Sequence, residues 1–420
     1  MKKLLCFFLA LVTALSLCAC GGGAEQTADP TDTTAVSQTT ETTPTTTAPV
    51  AESYLASDAD IALLETLYGG RTVFHGELHD HSNSGGTSDG KQPLNIWKAT
   101  MPGVGMDYAA ILDHRQVLHM YLPEWDPHVF IGGSEAATTI TDRPEGSNRF
   151  HYNMVFATPE PLVEIVTEFT EFKYREWTEE DRAGCGGQMH FNYPSMKAER
   201  FNEIITAVKE KGGLFVIPHP SSTNEEVPEN AMDLYFQDYV GYEVFYGYGA
   251  EDNNNPKTEA NYKLWTDMLA AGARVWCSAG NDMHQFPQAK CLSTVYSEEA
   301  HADSHITHLR VGDFAPGHVG IQMCVGNTAM GSSGPFEDQR LVFRVGDFHS
   351  DIALERYTFR VTLMDDKGVV FSEEMNGTEV KTFAIDANKS AKFYRVEIYN
   401  ITMDKLQALG NPIWNEAKYE

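Results

Sequence analysis

The sequence predicts an α/β fold followed by a smaller region of antiparallel β-strands. Three observations support this prediction. Short apolar runs without polar alternation, which are typical of buried parallel strands, recur between about residues 72 and 278. Amphipathic helical patterns separate several of these runs, as in parallel sheets. After about Arg310 this alternation gives way to shorter runs joined by hairpin-turn sequences.

The first 20 residues have the pattern of a bacterial export signal. A basic start precedes an apolar stretch that is too short for a comfortable transmembrane helix. It ends in Leu17-Cys18-Ala19-Cys20, which resembles the lipobox of bacterial lipoproteins, with Cys20 as the better lipid acceptor. An ordinary signal peptide cut nearby is the alternative. Residues 21–52 are rich in threonine and predict a disordered tether. We therefore expect an exported lipoprotein, periplasmic or on the cell surface, anchored to the membrane through Cys20.

The next region, residues 53–311, contains the strand–helix alternation. A first helix is expected from Asp58 to the Gly69-Gly70 pair. The remaining candidate helices are 93–100, 199–210 and 259–271. The candidate strands are 72–78, 108–112, 129–133, 150–156, 213–218, 240–246 and 273–278. Doubly wound sheets alternate in the same way, so the pattern alone leaves open whether this sheet closes into a barrel.

Residues 312–420 predict a second domain, a small antiparallel β-sandwich. Asp366-Lys367-Gly368 and Asn376-Gly377 supply hairpin turns. The candidate strands are 341–345, 357–363, 369–371, 380–385 and 393–399.

Charge and cysteine content restrict the possible partners. A formal charge of -28 argues against nucleic acid, because its phosphates would be repelled. Beyond the signal, the cysteines are Cys185, Cys277, Cys291 and Cys324, and they show no Cys-x-x-Cys spacing. A thiolate zinc site is therefore not expected. Up to two disulfides or buried free thiols both fit these four cysteines.

Ligand-type residues follow the strands of the first region. His79 and His81 end the first strand, where residues two apart share a face, and a Gly/Ser-rich loop then delivers Asp89. Similar residues lie at or near the ends of the later strands: His114, Glu135, His151, His219, Asp282 and His284. Any one of them alone is more often a structural or solvated residue. Their recurrence predicts one cavity, because strand ends converge at the mouth of a barrel.

In order, these motifs resemble the PHP (polymerase and histidinol phosphatase) family over residues 70–310. The resemblance implies a distorted (β/α)7 barrel that carries the catalysis. It also implies two or three divalent ions. His79, His81, Glu135 and Asp282 would hold the first, and Glu135 would bridge to a second held by His151 and His219. Asp89, His114 and His284 would hold a third. Imidazole and carboxylate ligands suit Zn²⁺, Mn²⁺ or Fe²⁺ without selecting among them.

The leading functional hypothesis is a phosphoesterase that acts on a small phosphate ester through a metal-bridging hydroxide. Arg115, directly after His114, is the candidate phosphate contact, although a surface salt bridge explains it equally well. A second hypothesis keeps the metals but cleaves a carboxyl or carbamate ester, with aromatic residues at the mouth: Tyr152, Tyr246, Tyr248 and Trp265. A third is a surface lipoprotein that binds metal or another ligand without turnover.

Overall fold

The computed structural model describes residues 54–144, 148–173, 190–223, 230–247 and 256–419. They belong to one compact unit, Val50–Glu420. The predicted signal peptide, the tether, Cys20, Cys185 and Tyr248 lie outside the described residues. Within the described part, Cys277, Cys291 and Cys324 are free thiols, and all three are buried. No helix there is both long and apolar enough to cross a membrane.

In the described residues, the four predicted helices are present, and three further helices were not predicted. The helices are α1 (Asp58–Tyr68), α2 (Leu94–Thr100), α3 (Pro159–Phe169), α4 (Ala198–Glu210), α5 (Pro220–Thr223), α6 (Pro256–Ala270) and α7 (Ala302–Leu309). Helix α1 begins at a capping box in which Ser57 and Asp60 exchange side-chain and backbone hydrogen bonds. Helix α4 buries the apolar face that its 3.6-residue periodicity predicts.

Nine strands form a barrel-like sheet. They are β1 (Thr72–Asp80), β2 (Tyr108–Ile111), β3 (Phe130–Thr139), β4 (Arg149–Phe156), β5 (Leu214–Ile217), β6 (Gly241–Tyr246), β7 (Trp276–Gly280), β8 (Ser293–Ser297) and β9 (Phe314–Pro316). Their order is β7-β6-β5-β4-β3-β2-β1-β8-β9. The chain beyond β7 returns to β1, where Asp80 and Met283 form an isolated parallel bridge, so the sheet nearly closes.

The sheet is consistent with the predicted α/β barrel, with two differences. Strand β4 runs antiparallel to both β3 and β5, so the (β/α)7 repeat is not confirmed. Strand β3 continues to Thr139, whereas its predicted end is residue 133, so Glu135 lies inside the strand and not beyond it. Gly132 and Gly133 lie within β3, where Leu112 and the backbone of Met154 pack closely against Gly133.

The C-terminal region adds two sheets. Their strands are β10 (Val319–Val325), β11 (Thr328–Ala329), β12 (Ser333–Gly334), β13 (Arg340–Phe348), β14 (Thr358–Asp365), β15 (Gly368–Asn376), β16 (Lys381–Asp386), β17 (Phe393–Asn400), β18 (Lys405–Leu409) and β19 (Ile413–Asn415). One sheet has the order β11-β10-β13-β16. The other has the order β12-β19-β17-β14-β15, with β18 paired to β17. Apolar side chains from both sheets share one core, as expected for a β-sandwich.

Helix α1 precedes β1 in the chain but packs against the C-terminal sheet that contains β10 and β13. Leu64 and Tyr68 join a buried cluster with Cys324 and Val342 of that sheet. Arg340 of β13 also pairs with the carboxylate of Asp60, with Nε 2.9 Å from Oδ1. The N-terminal helix thus ties together two regions that are distant in sequence.

Candidate metal centre

The nine predicted ligand residues meet at one mouth of the barrel-like sheet. They form three overlapping groups, in each of which the potential ligand atoms lie within 4.8 Å of one another. The groups are His79, His81, Glu135 and Asp282; Glu135, His151 and His219; and His81, Asp89, His114 and His284. The structure therefore brings all nine side chains together, and metal binding by them stays a prediction.

Closure between β1 and the segment after β7 positions the first group. The backbone N–H of Asp282 donates to the carbonyl of His79 at 2.7 Å, and that of His81 donates to the carbonyl of Met283 at 2.9 Å. The Asp282 carboxylate consequently faces both histidines. Its Oδ1 lies 3.1 Å from Nε2 of His81 and 3.7 Å from Nε2 of His79. Tyr246 donates its hydroxyl to the other oxygen at 3.0 Å and so fixes the carboxylate.

Glu135 is the centre of the arrangement. Its Oε1 lies 2.7 Å and 3.2 Å from nitrogens of two imidazoles. Its Oε2 lies 3.1–3.3 Å from nitrogens of three others. The five histidines are His151 and His219 on Oε1, and His79, His81 and His114 on Oε2. Glu135 is 1% exposed. One buried carboxylate therefore divides its two oxygens between two sets of imidazoles.

The third group forms the outer rim of the mouth. Asp89 places Oδ1 3.1 Å from Nε2 of His284 and 3.5 Å from Nε2 of His114. The loop that carries Asp89 is held because Ser82 donates its N–H and hydroxyl to the buried carboxylate of Asp113. The Asp89 side chain is 49% exposed, so this group opens to solvent.

At the mouth, the electrostatic environment stabilises positively charged groups next to the carboxylates. Burial would raise the pKa of Glu135, but the surrounding histidines outweigh it and hold that pKa well below its usual range. Burial would lower the pKa of His114, but the neighbouring carboxylates of Asp89 and Glu135 raise it to about 10. Without metal the site is thus arranged to retain protons, and a divalent cation can replace them.

The donor set fits divalent metal ions. Nε2 of His79 and Oε2 of Glu135 are buried, face each other and make no hydrogen bond within the described part of the chain. Buried polar atoms are normally hydrogen-bonded, so such a group needs an explanation. Imidazole nitrogens and carboxylate oxygens gathered at 3.1–3.3 Å are spaced as ligands around a shared ion. These groups are therefore candidate binding sites for divalent ions.

Two further carboxylates, which were not predicted from the sequence, support the centre. Glu243 of β6 lies with Oε1 3.2 Å from Nδ1 of His79 and accepts the N–H of His219 on Oε2 at 2.8 Å. Glu77 accepts the N–H groups of His79 and Asn281 and so links β1 to the end of β7. Burial raises the pKa of Glu77 to about 7. An acidic residue inside a predicted strand marks both positions, but the sequence does not show that the two strands face one cavity.

Gly280, the last residue of β7, allows Glu243 to reach His79. A Cβ atom at position 280 would lie 2.0 Å from Oε1 of Glu243 and 2.6 Å from Cβ of His79. Neither neighbour has room to move, because both are buried. The close approach of backbone and carboxylate therefore requires glycine at this position.

Three residues at strand ends have left-handed backbone conformations. They are Arg115 (φ 53°), His219 (φ 29°) and Asp282 (φ 51°). Residues other than glycine rarely adopt such angles, and the cost is of order 1–3 kcal/mol each. Two of the three are predicted ligands, and the third follows the predicted ligand His114. Strain of this kind concentrates at functional sites, where the surrounding contacts hold it in place.

The predicted substrate contacts have mixed outcomes. Arg115 lies beside the centre, and its guanidinium donates to Oδ1 of Asn192 at 2.5 Å. Its contact with phosphate stays a prediction. Tyr152 and Trp265 were expected at the mouth, but both lie in the hydrophobic core. Tyr152 follows His151 in β4, so the strand alternation that turns the histidine to the mouth turns the tyrosine away.

No protein-family model and no curated protein matches the chain. Among solved structures, it is similar to the lesion-specific endonuclease PfuEndoQ from Pyrococcus furiosus, with 15% identity and a TM-score of 0.35. It is also similar to Endonuclease Q in complex with a 27-mer duplex substrate that has an abasic lesion at the active site, with 14% identity and a TM-score of 0.37. The matches cover 58% of this chain in both cases, and 57% and 58% of those chains. The chain thus spans just over half their length, and a likeness at this level assigns no activity to it.

The predicted partners need correction. A small-molecule ester was expected as substrate, and nucleic acid was excluded because of the net charge. One of the similar structures is a complex with duplex DNA. The exclusion was therefore wrong, since net charge describes the whole surface and not the mouth, where bound cations would neutralise the carboxylates.

Proposed function

We propose that this chain is a metal-dependent phosphoesterase of the PHP type. The observation that carries the proposal is the Glu135 carboxylate, which contacts two imidazoles on one oxygen and three on the other. A carboxylate with this environment is suited to hold two cations close together. Asp282 and Asp89 add negative charge on either side, so the mouth suits a cluster better than a single ion.

Each part of the chain has a distinct task in this proposal. The three groups would hold divalent ions, and such ions activate water and neutralise the charge of a phosphate. Glu243 and Tyr246 orient His79 and Asp282 through direct hydrogen bonds. The partly exposed rim at Asp89 gives a substrate access to the buried carboxylates.

The residues around the mouth favour phosphorus over carbon as the atom that is attacked. Arg115 follows the ligand-type residue His114, and a guanidinium is suited to phosphate oxygens. Two of the aromatic residues expected to bind an aryl or carbamate ester lie in the core instead. We therefore rank a phosphate ester above a carboxyl ester and place no limit on the size of the substrate.

The experiment is hydrolysis by protein that has been stripped of metal and reloaded separately with Zn²⁺, Mn²⁺ or Fe²⁺. The panel contains para-nitrophenyl phosphate, its diester, a DNA duplex with an abasic site and an aryl carboxyl ester. We expect phosphate ester cleavage only after reloading. Cleavage of the aryl ester alone would replace the proposal with the carboxyl ester hydrolase. No cleavage by protein with confirmed bound metal would favour a binding protein.

We also propose that the chain is an exported lipoprotein, because a lipobox-like sequence precedes a threonine-rich tether. Expression with a labelled fatty acid should give a labelled protein, and the Cys20→Ala variant should lose the label. Label retained in that variant would contradict anchoring through Cys20.

A further inference from the structure

A second cluster of histidine and carboxylate side chains lies outside the mouth. It is found where the C-terminal sheet that contains β10 and β13 meets loops of the barrel-like region. His318 stands directly before β10 and His349 directly after β13, and the N–H of His349 donates to the carbonyl of His318 at 2.8 Å. Asp351 lies in the turn that follows. Potential ligand atoms of the three side chains lie within 4.8 Å of one another. We call His318, His349 and Asp351 the junction cluster.

Backbone carbonyls fix the orientation of both rings. Nε2 of His318 lies 2.9 Å from the carbonyl oxygen of Lys290, and Nε2 of His349 lies 3.1 Å from that of Gly105. A carbonyl oxygen only accepts hydrogen bonds, so each Nε2 must carry the proton. In a neutral ring the lone pair is then on Nδ1. The N–H of Asp351 approaches Nδ1 of His349 at 3.5 Å, the outer limit of a hydrogen bond, and this contact also requires an acceptor there.

Both Nδ1 atoms face the same carboxylate. Nδ1 of His318 lies 3.1 Å and 3.2 Å from the two oxygens of Asp351, and Nδ1 of His349 lies 2.6 Å from Oδ1. Two lone pairs aimed at a carboxylate repel it unless positive charge lies between them. Both histidines are 3% exposed, so their rings lie away from solvent.

We propose that the junction cluster binds one divalent transition-metal ion through Nδ1 of His318, Nδ1 of His349 and the carboxylate of Asp351. Zn²⁺ suits this donor set. Histidines that bind metal commonly donate their other N–H to a carbonyl or carboxylate, and both histidines do so here. Two ligands of a tetrahedral ion lie about 3.3 Å apart at zinc distances, so the Asp351 carboxylate would have to shift by less than about 1 Å. Its side chain is 46% exposed and has room to do so.

The position of the cluster indicates a structural role. Gly105 and Lys290 belong to loops of the barrel-like region, whereas the three ligands belong to the C-terminal region. His75, near the start of β1, packs its ring edge against His349 with ring centroids 5.3 Å apart. His79 and His81 of the mouth lie four and six residues further along the same chain, or about 13–20 Å for extended strand. The ion would therefore join two regions at the end of the barrel away from the mouth.

Metal counting on the full chain tests this inference. Protein is stripped with a chelator, reloaded with Zn²⁺ and freed of excess metal, and zinc per chain is then measured. The Asp351→Asn variant should hold one zinc fewer than the unmodified protein and should gain less in melting temperature when zinc is added. Crystals of the unmodified protein should show anomalous scattering at the zinc edge between His318 and His349.

The matched control is Asp303→Asn. Asp303 is an exposed acid beside another histidine, with Oδ2 3.4 Å from Nδ1 of His301, outside the clusters of the described residues. This control should keep the full zinc count. Equal zinc counts for Asp351→Asn and the unmodified protein would overturn the inference, whatever happens to stability, because that result is expected of an ion-paired cluster without metal. The His349→Gln variant is a second test of the same zinc site. If His349→Gln fails to fold, the zinc count of Asp351→Asn decides.

Discussion

The mouth of the barrel and the junction cluster use the same residue types in different ways. At the mouth, His79 contacts a second carboxylate, Glu243, and five imidazoles share Glu135. At the junction, each histidine contacts a backbone carbonyl, and two imidazoles share one half-exposed carboxylate. A carboxylate partner makes an imidazole a stronger donor, whereas a carbonyl mainly fixes its orientation. The contacts behind the histidines therefore distinguish a candidate reactive centre from a candidate structural site.

Replacement of Glu135 by glutamine is the most severe test of this difference. Glu135→Gln keeps the shape but removes the charge that two sets of imidazoles share. We expect activity to fall at least about 100-fold and the mouth to lose metal, while the junction zinc remains. Hydrolysis rates and metal counts measure both effects. Glu210→Gln, at an exposed position of α4, is the control. Full activity in Glu135→Gln would show that the mouth is not the reactive site.

Replacement of Glu243 tests the contact behind His79. Glu243→Gln removes the charge but can keep a hydrogen bond to Nδ1. We expect kcat to fall about 10- to 100-fold and metal affinity to weaken, because outer contacts of metal ligands typically have effects of this size. Metal titration beside steady-state kinetics separates the two changes. If neither changes, the acidic partner is not what distinguishes the mouth from the junction.

A buried histidine outside both clusters gives a third environment for comparison. Burial, with the nearby His301 and His308, lowers the pKa of His305 to about 4. The unfolded chain therefore binds this proton near its usual pKa of about 6.5, before the folded protein does. The free energy of unfolding should fall by about 2 kcal/mol between pH 7 and pH 5 on this account alone, and the loss is complete only below about pH 4.

Urea unfolding at pH 7 and pH 5 measures this effect as a difference between proteins. His305→Gln should lose about 2 kcal/mol less stability on acidification than the unmodified protein. His128→Gln, at an exposed histidine, should behave like the unmodified protein. An unchanged pH dependence in His305→Gln would mean that its burial does not penalise the charged ring.

The smallest expected effect concerns Arg115, which distinguishes substrate binding from metal binding at the mouth. Arg115→Ala should raise KM for a phosphate ester about 10-fold and leave the metal content unchanged, because one charge-assisted hydrogen bond is lost. Arg200→Ala, at an exposed arginine paired with Glu203, is the control. A loss of metal in Arg115→Ala would instead assign this residue to the support of His114.

The sequence was most informative where residue types recur at strand ends. Each predicted strand overlaps an observed strand, although β3 and β15 extend well beyond their predicted ends, and the nine ligand-type residues come together because the strand ends converge. The antiparallel β4 could not be predicted, because a short apolar run does not indicate its direction. Glu243 and Glu77 escaped notice because their roles depend on β6 and β1 facing one cavity. The junction cluster depends on a meeting of residues near 105, 290, 318 and 349 that no local pattern indicates.

The tight contact at Gly280 limits how the mouth can be redesigned. A library that seeks new substrates can vary Asn83 and Lys91, which are exposed residues of the loop that carries Asp89 and are not predicted ligands. Even an alanine at position 280 would compete with Glu243 for the same volume. Gly280 has no side chain, yet its position restricts protein engineering as strongly as the neighbouring His79 does.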